Sequence, residues 1–288
     1  TSFDAFVGGS ELNVAVAAAR LGAAARWVSR LPDNALGHMI ANRARAQGVD
    51  VQVEWVTEAR AGLYFVEHGS TPRFSSVLYD RAGSAFSRVA PERIDWSSVF
   101  AGARWYHVSG ITPALGEGAA RVTAESLAAA KRAGLTVSYD LNYRQRLWST
   151  AQACATQEPL LAHVDLLNTT AEDAELVFGA RGDPEAVARA LAQRFRISAV
   201  TVTVRDQPLA AVVASQGRVH TAHRFDVETV DRIGAGDAFT GGLIVSRLEN
   251  KDWEEALRFA TATAALKRTI AGDFCLVTRE QVEQLVSL

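Results

Sequence analysis

The stretch Asp231-Arg232-Ile233-Gly234-Ala235-Gly236-Asp237-Ala238-Phe239-Thr240-Gly241-Gly242 decides how this sequence is read. It follows an extended segment and opens a helix expected over 235–248. Small residues at 234–236 let backbone N–H groups approach an anion closely. A helix start adds unpaired donors and partial positive charge. Gly234, Ala235 and Gly236 therefore make a candidate anion hole, with Asp237 a candidate base at its rim. The competing reading is a glycine-rich turn in which Asp237 only caps a helix. Phe239 stands where a G-x-G-x-x-G loop needs its last glycine, and no lysine follows a glycine. A dinucleotide fingerprint is thereby weakened and a Walker A loop is excluded.

Outward from this segment, apolar strands alternate with amphipathic helices. Helices are expected over 13–21, 34–47, 116–132 and 184–194, and strands over 25–29, 104–109, 135–140, 164–167 and 199–204. That rhythm predicts an α/β fold with a mostly parallel sheet covered by helices. A hairpin is expected from 207–214 and 218–223, around Gln216-Gly217, before helices over 235–248, 253–270 and 278–286. Three short strands at 51–56, 61–67 and 74–78 have no helix between them. They read as an antiparallel lid leaving the main sheet at about 51–80, within one domain spanning 1–288.

The 288 residues carry a formal charge of −2, with 48% hydrophobic and 22% charged residues. No basic field exists to attract nucleic acid, and no apolar run reaches the ~20 residues of a membrane helix. Cys154 and Cys275 lie far apart without metal-type spacing, which fits a reducing cytoplasm. His220 and His223 fall three apart on an expected strand, so they point to opposite faces rather than at one metal. The first residue is Thr1 and the only methionine is Met39, so the natural chain is expected to start earlier.

The 231–242 segment resembles the signature of the ribokinase-like (phosphofructokinase B) carbohydrate kinases, usually Asp-Thr-x-Gly-Ala-Gly-Asp, departing only at Arg232. A second match is Gly8-Gly9-Ser10-Glu11-Leu12-Asn13-Val14-Ala15 with Ala19-Arg20-Leu21-Gly22, similar to the family's substrate-side Gly-Gly and Asn. The resemblance implies an ATP- and magnesium-dependent kinase of a small sugar, with Gly9 and Asn13 on the sugar and Asp237 as the base. Further stretches are similar to the 2-keto-3-deoxygluconate kinase branch: Gly62-Leu63-Tyr64-Phe65, Leu78-Tyr79-Asp80-Arg81-Ala82-Gly83-Ser84-Ala85, His107-Val108-Ser109-Gly110-Ile111 and 140–148, which contains Asn142-Tyr143-Arg144.

A sugar acid brings a carboxylate, which a planar guanidinium holds in two-pronged fashion. Arg144 follows an expected strand at its C-terminal end, where open α/β sheets bind ligands. Arg81 follows the lid strands, and Tyr64 and Tyr79 offer rings and hydroxyls to the same ligand. By register with the family, the nucleotide side falls on Thr170, Arg205 and Thr261, and Asp173 supplies a carboxylate for magnesium through water. The stretch Arg205-Asp206-Gln207-Pro208-Leu209 lacks the glycine pair that the family often has there. A neutral-sugar kinase and a weakly active sugar- or nucleotide-binding protein of the same fold are the alternatives. The resemblance also implies a homodimer through the lid.

Overall fold

Asn34 explains the first turn of the architecture. Its side chain accepts from the Leu36 and Gly37 N–H groups and so starts a helix directly after a strand. In the computed structural model, which describes residues 2–69, 72–73, 75–91, 94–204, 210–222 and 225–288, α1 (Ser10–Arg20) leads into β1 (Arg26–Pro32), α2 (Ala35–Arg45) and β2 (Asp50–Val56). β1 and β2 pair in parallel, from Arg26 opposite Asp50 to Pro32 opposite Val56. This corrects the expectation that 51–56 belong to the antiparallel lid. A helix between two strands is the crossover that parallel pairing requires. Trp55 of β2 stacks on His38 of α2 at 4.4 Å. The lid is the antiparallel pair β3 (Leu63–Glu67) and β4 (Ser76–Asp80), with Tyr64 opposite Tyr79.

The chain continues through α3 (Trp96–Val99), β5 (Trp105–Ser109), α4 (Glu117–Arg132), β6 (Thr136–Asp140), α5 (Thr150–Leu160), β7 (Leu166–Thr170), α6 (Ala171–Phe178), α7 (Pro184–Phe195), β8 (Ala199–Val204), β9 (Ala210–Ser215) and β10 (Arg218–Thr221). These strands form a six-stranded sheet in the order β10-β9-β8-β7-β6-β5. β5 to β8 run parallel, and β9 and β10 close the sheet antiparallel. The expected start of the hairpin at 207–209, and His223 at its end, lie outside the described residues. Helix α5 was not foreseen. Its Ser149–Gln152 capping box is the signal that marks it.

The last helices, α8 (Ala235–Leu248), α9 (Trp253–Lys267) and α10 (Arg279–Val286), pack where the signature sits. Two glycines of α8 set their spacing. A Cβ on Gly241 would fall 2.6 Å from Ala17 of α1, and one on Gly242 would fall 3.1 Å from Ala260 of α9. Only glycine lets these backbones approach so closely. That approach brings the N-terminus of α1 against the N-terminus of α8. The β1–β2 pair and the six-stranded sheet stay separate, and their facing strands β1 and β5 line one cavity of about 1520 Å³.

Candidate active site

The first turn of α8 is built to face an anion. No side chain caps it, and its N-cap, Gly234, adopts φ 75°. A Cβ there would meet the Asp273 carbonyl oxygen at 2.1 Å, so both space and backbone demand glycine. Gly236 differs: a Cβ there would meet nothing within 4 Å. Its open side is the cavity. The N–H groups of Gly236 and Asp237 lie in the first turn, where no helical acceptor exists for them.

Asp237 is held by α1. Its Oδ1 accepts from Ser10 Oγ at 2.8 Å and its Oδ2 from Asn13 Nδ2 at 2.8 Å. Asn142, at the end of β6 with φ 38°, donates to Ser10 Oγ at 3.2 Å and extends the network to the sheet. Burial raises the Asp237 carboxyl above its ordinary range, opposed by the Asn13 and Ser10 bonds and the Arg144 charge. A carboxylate whose proton affinity is raised by burial is suited to accept a proton. Asn13 Oδ1 is buried with no partner among the described residues, which leaves an acceptor free beside the base.

Asp273 was not foreseen from the sequence. It is 6% exposed, its Oδ1 accepts from the Tyr64 hydroxyl, and a Cβ on Gly8 would collide with it. Tyr64 of the lid thus reaches the core beside the Gly8-Gly9 turn, where Gly9 takes φ 143° to start α1. Burial lifts the Asp273 carboxyl to about 6, with the Asp237 charge adding to the rise. Burial and the Asp273 charge likewise raise Tyr64 well above the ordinary phenol value. Asp273 belongs to no helix or strand, and no spacing in the sequence connects it to Tyr64.

Arg81 and Arg144 come together. Arg81 lies over the Tyr79 ring at 4.3 Å, and its Nε and Nη2 are buried without partners. Burial lowers its affinity for its proton, and the Arg144 charge lowers it further. Two guanidinium groups close enough to repel, with donors left over, make a site that an anion completes. Arg146 ties the lid to the same end of the sheet by donating to the Val77 carbonyl at 2.7 Å.

Of the predicted residues, Gly9, Asn13, Tyr64, Tyr79, Arg81, Arg144, Thr170, Gly234, Ala235, Gly236, Asp237 and Thr261 line the one cavity. Thr170 spends its hydroxyl as the cap of α6, accepting from the Asp173 N–H at 3.1 Å. Thr261 is fully buried on α9 with its hydroxyl unpartnered. Asp173 is buried in the first turn of α6 and does not line the cavity. Arg205 lies outside the described residues. Among the described residues no group of three metal-ligating side chains occurs.

The profile of the pfkB family carbohydrate kinases matches residues 1–274. A 2-dehydro-3-deoxygalactonokinase of Haloferax volcanii is 41% identical over 278 residues, covering 96% of this chain and 86% of that one. A 2-dehydro-3-deoxygluconokinase of Thermoproteus tenax is 34% identical over 275 residues, covering 94% and 82%. The crystal structure of a 2-dehydro-3-deoxygluconokinase from Thermotoga maritima superimposes with a TM-score of 0.96 at 38% identity, covering 100% of this chain and 91% of that one.

Proposed function

The chain belongs to the pfkB family of carbohydrate kinases, and from that premise we propose that it transfers the γ-phosphoryl group of ATP to a hydroxyl of a 2-dehydro-3-deoxy sugar acid. The observation that carries the substrate class is Arg81, whose Nε and Nη2 are buried with no partner among the described residues and which lies beside the Arg144 charge. A neutral sugar would leave those donors unpaired, which costs about 1–3 kcal/mol for each group. The substrate carboxylate completes them. The names of the similar kinases support the same class.

The sugar lies between the lid and α1, under Tyr64 and Tyr79, against Gly9, Asn13 and Asp273. Asp237 takes the proton of the acceptor hydroxyl as its oxygen forms a bond to the γ-phosphorus. The bond from phosphorus to the bridging oxygen breaks, and ADP leaves. Charge gathering on the transferring group meets the N–H groups of Gly236 and Asp237 at the start of α8. Magnesium carried on the phosphates would offset their charge, met by the protein through water and not by Asp173, which lies off the cavity. Closure of the lid excludes water that would otherwise take the phosphoryl group.

The test is ATP consumption over a panel of neutral sugars and keto-deoxy acids, with the parent and Arg144→Ala. The parent turns over the acids. The variant binds them more weakly by about 1.5–3 kcal/mol, while binding of neutral sugars barely changes. A parent that prefers ribose or fructose, or a variant that loses both ligand types equally, overturns the carboxylate assignment.

A further inference from the structure

Lys267 is fully buried, at 0% exposure, in the last turn of α9. A buried lysine carries a large desolvation cost and is retained where its charge has work to do. The chemistry described above makes no use of it. Its Nζ donates to the Ile270 carbonyl at 3.0 Å and so closes the turn that follows α9. That turn leads straight to Gly272 and Asp273, which press on the anion hole. The Gly272 N–H donates to Asp231 Oδ2 at 3.0 Å, and the Ile233 N–H donates to Asp231 Oδ1 at 3.0 Å. Asp231 therefore bolts two loops together, one carrying Gly234–Asp237 and one carrying Asp273. The Val230 and Asp231 N–H groups add a second tie, both donating to the Arg268 carbonyl.

We propose that Lys267 is a positioning residue of the anion hole: its buried ammonium fixes the 267–273 turn against the 231–236 loop and supplies the positive charge beneath Asp231, Asp237 and Asp273. Arg144 is a second cation that acts on Asp237. The groups that act on Lys267 are Asp231, Asp273, Cys275 and Asp237, and all four favour its charged form against the burial that opposes it. Those that act on Asp237 are Asn13, Ser10, Arg144 and Glu11; those on Asp273 are Tyr64, Asp237, Asn13 and Lys267. Without Lys267, Asp231, Asp237 and Asp273 lose a buried positive charge that acts on all three. One of them would take up a proton, or the turn would move, and either change displaces the donors of the anion hole. This inference rests on the start of α8 being the phosphoryl site, but not on which sugar is bound.

The experiment compares Lys267→Met with the parent by steady-state kinetics across pH. Methionine keeps the length and apolar stem and removes the charge together with the bond to the Ile270 carbonyl, so a packing role alone would survive. The expected result is a fall in kcat of about tenfold, smaller than the roughly 10²–10³ for removing a direct donor. The low-pH limb of kcat/KM should also move to higher pH, because losing a nearby positive charge lets Asp237 and Asp273 hold their protons longer. A variant with parental kcat and an unmoved limb overturns the proposal. Where the single variant is too unstable to purify, Lys267→Met combined with Asp231→Asn removes the opposite charges together. A limb at higher pH in that protein than in Asp231→Asn alone supports the proposal, and a limb that coincides with that of Asp231→Asn overturns it. Failure of the phosphoryl-site reading is separable: it shows as Asp237→Asn with parental turnover.

Discussion

The floor of the site and its lid are built by opposite rules. At the floor, Ala235 and residues 238–246 of α8 are buried, and Asp237 is fixed by Ser10 and Asn13 across more than 220 residues of sequence. The lid strands β3 and β4 contain no fully buried residue. Exposed pairs such as Arg60 with Asp80 and Arg73 with Glu67 brace the lid, and such pairs contribute little stability. The lid meets the core through a few polar contacts, Tyr64 to Asp273 and Arg146 to the Val77 carbonyl. The proposed function thus puts the chemistry on a buried, preorganised floor and recognition on an exposed element with few ties to the core.

The largest expected effect falls on the floor. Asp237→Asn keeps the shape and the bonds to α1 but removes the proton acceptor. Turnover should fall by about a hundredfold or more, with sugar binding retained by calorimetry. Near-parental turnover would remove Asp237 from its role and with it the contrast between the two regions.

The two glycines of the anion hole sharpen the same contrast within a single turn. Gly234→Ala puts a Cβ 2.1 Å from the Asp273 carbonyl in a backbone of φ 75°. It should cost at least the ~1–3 kcal/mol of a strained residue, read as a lower melting temperature. Gly236→Ala meets open space. It should melt like the parent and lose turnover, because its methyl group intrudes where the phosphoryl oxygens approach. Equal melting losses in both would mean that the floor is not as tightly built as its distances imply.

Much of this floor was legible in the sequence, because a local motif carries it. The Gly-Ala-Gly-Asp run and the Gly8-Gly9 run with Asn13 marked the two helix starts that the structure brings together. The lid was legible only in part. Strand β2 was assigned to it because three strand-like runs follow one another, although the helix over 34–47 already signalled a parallel crossover. Asp273 was missed for a different reason. Its partners Tyr64 and Asn13 are brought to it by packing alone, over 209 residues in the case of Tyr64. Lys267 did leave a trace: it lies at helical spacing from Ala256, Ala260, Thr263 and Ala264, a charge on a stripe of small buried residues.

Asp273 joins the two regions, and its proton links stability to pH. Its carboxyl moves from 3.8 to about 6 on folding. Below about pH 4 folded and unfolded chains both hold this proton, so its stabilising contribution is complete. Between about pH 4 and 6 only the folded chain holds it, so stability falls as pH rises, by on the order of 2–3 kcal/mol in all. Asp273→Asn should therefore show a flatter melting curve across this range and melt above the parent at neutral pH. It should also bind the sugar acid less well, a stabilising change that costs function. A parent and variant with parallel pH profiles would place the Asp273 proton elsewhere.

The smallest expected effect concerns the outer face of the lid, where we propose that a second copy of the chain docks. Leu63, Phe65 and Leu78 are 40%, 40% and 64% exposed, and Phe3 packs edge-on against Phe65 at 5.7 Å. A thin two-stranded sheet has no second layer of its own to cover that face. A two-fold contact covers it with the same residues from the partner, so each apolar side chain is matched twice. Covering these partly exposed side chains in both copies yields about 1 kcal/mol each, against an association cost of several kcal/mol. The dimer is therefore expected to be weak and to dissociate on dilution. Sedimentation at micromolar concentration should show a concentration-dependent dimer in the parent and a monomer in Phe65→Ser/Leu78→Ser. Turnover in that variant should drop only several-fold, because the catalytic floor is untouched and only the closure of Tyr64 and Arg81 over the sugar is loosened. A parent that stays monomeric at these concentrations and works at full rate would show that the lid closes without a partner.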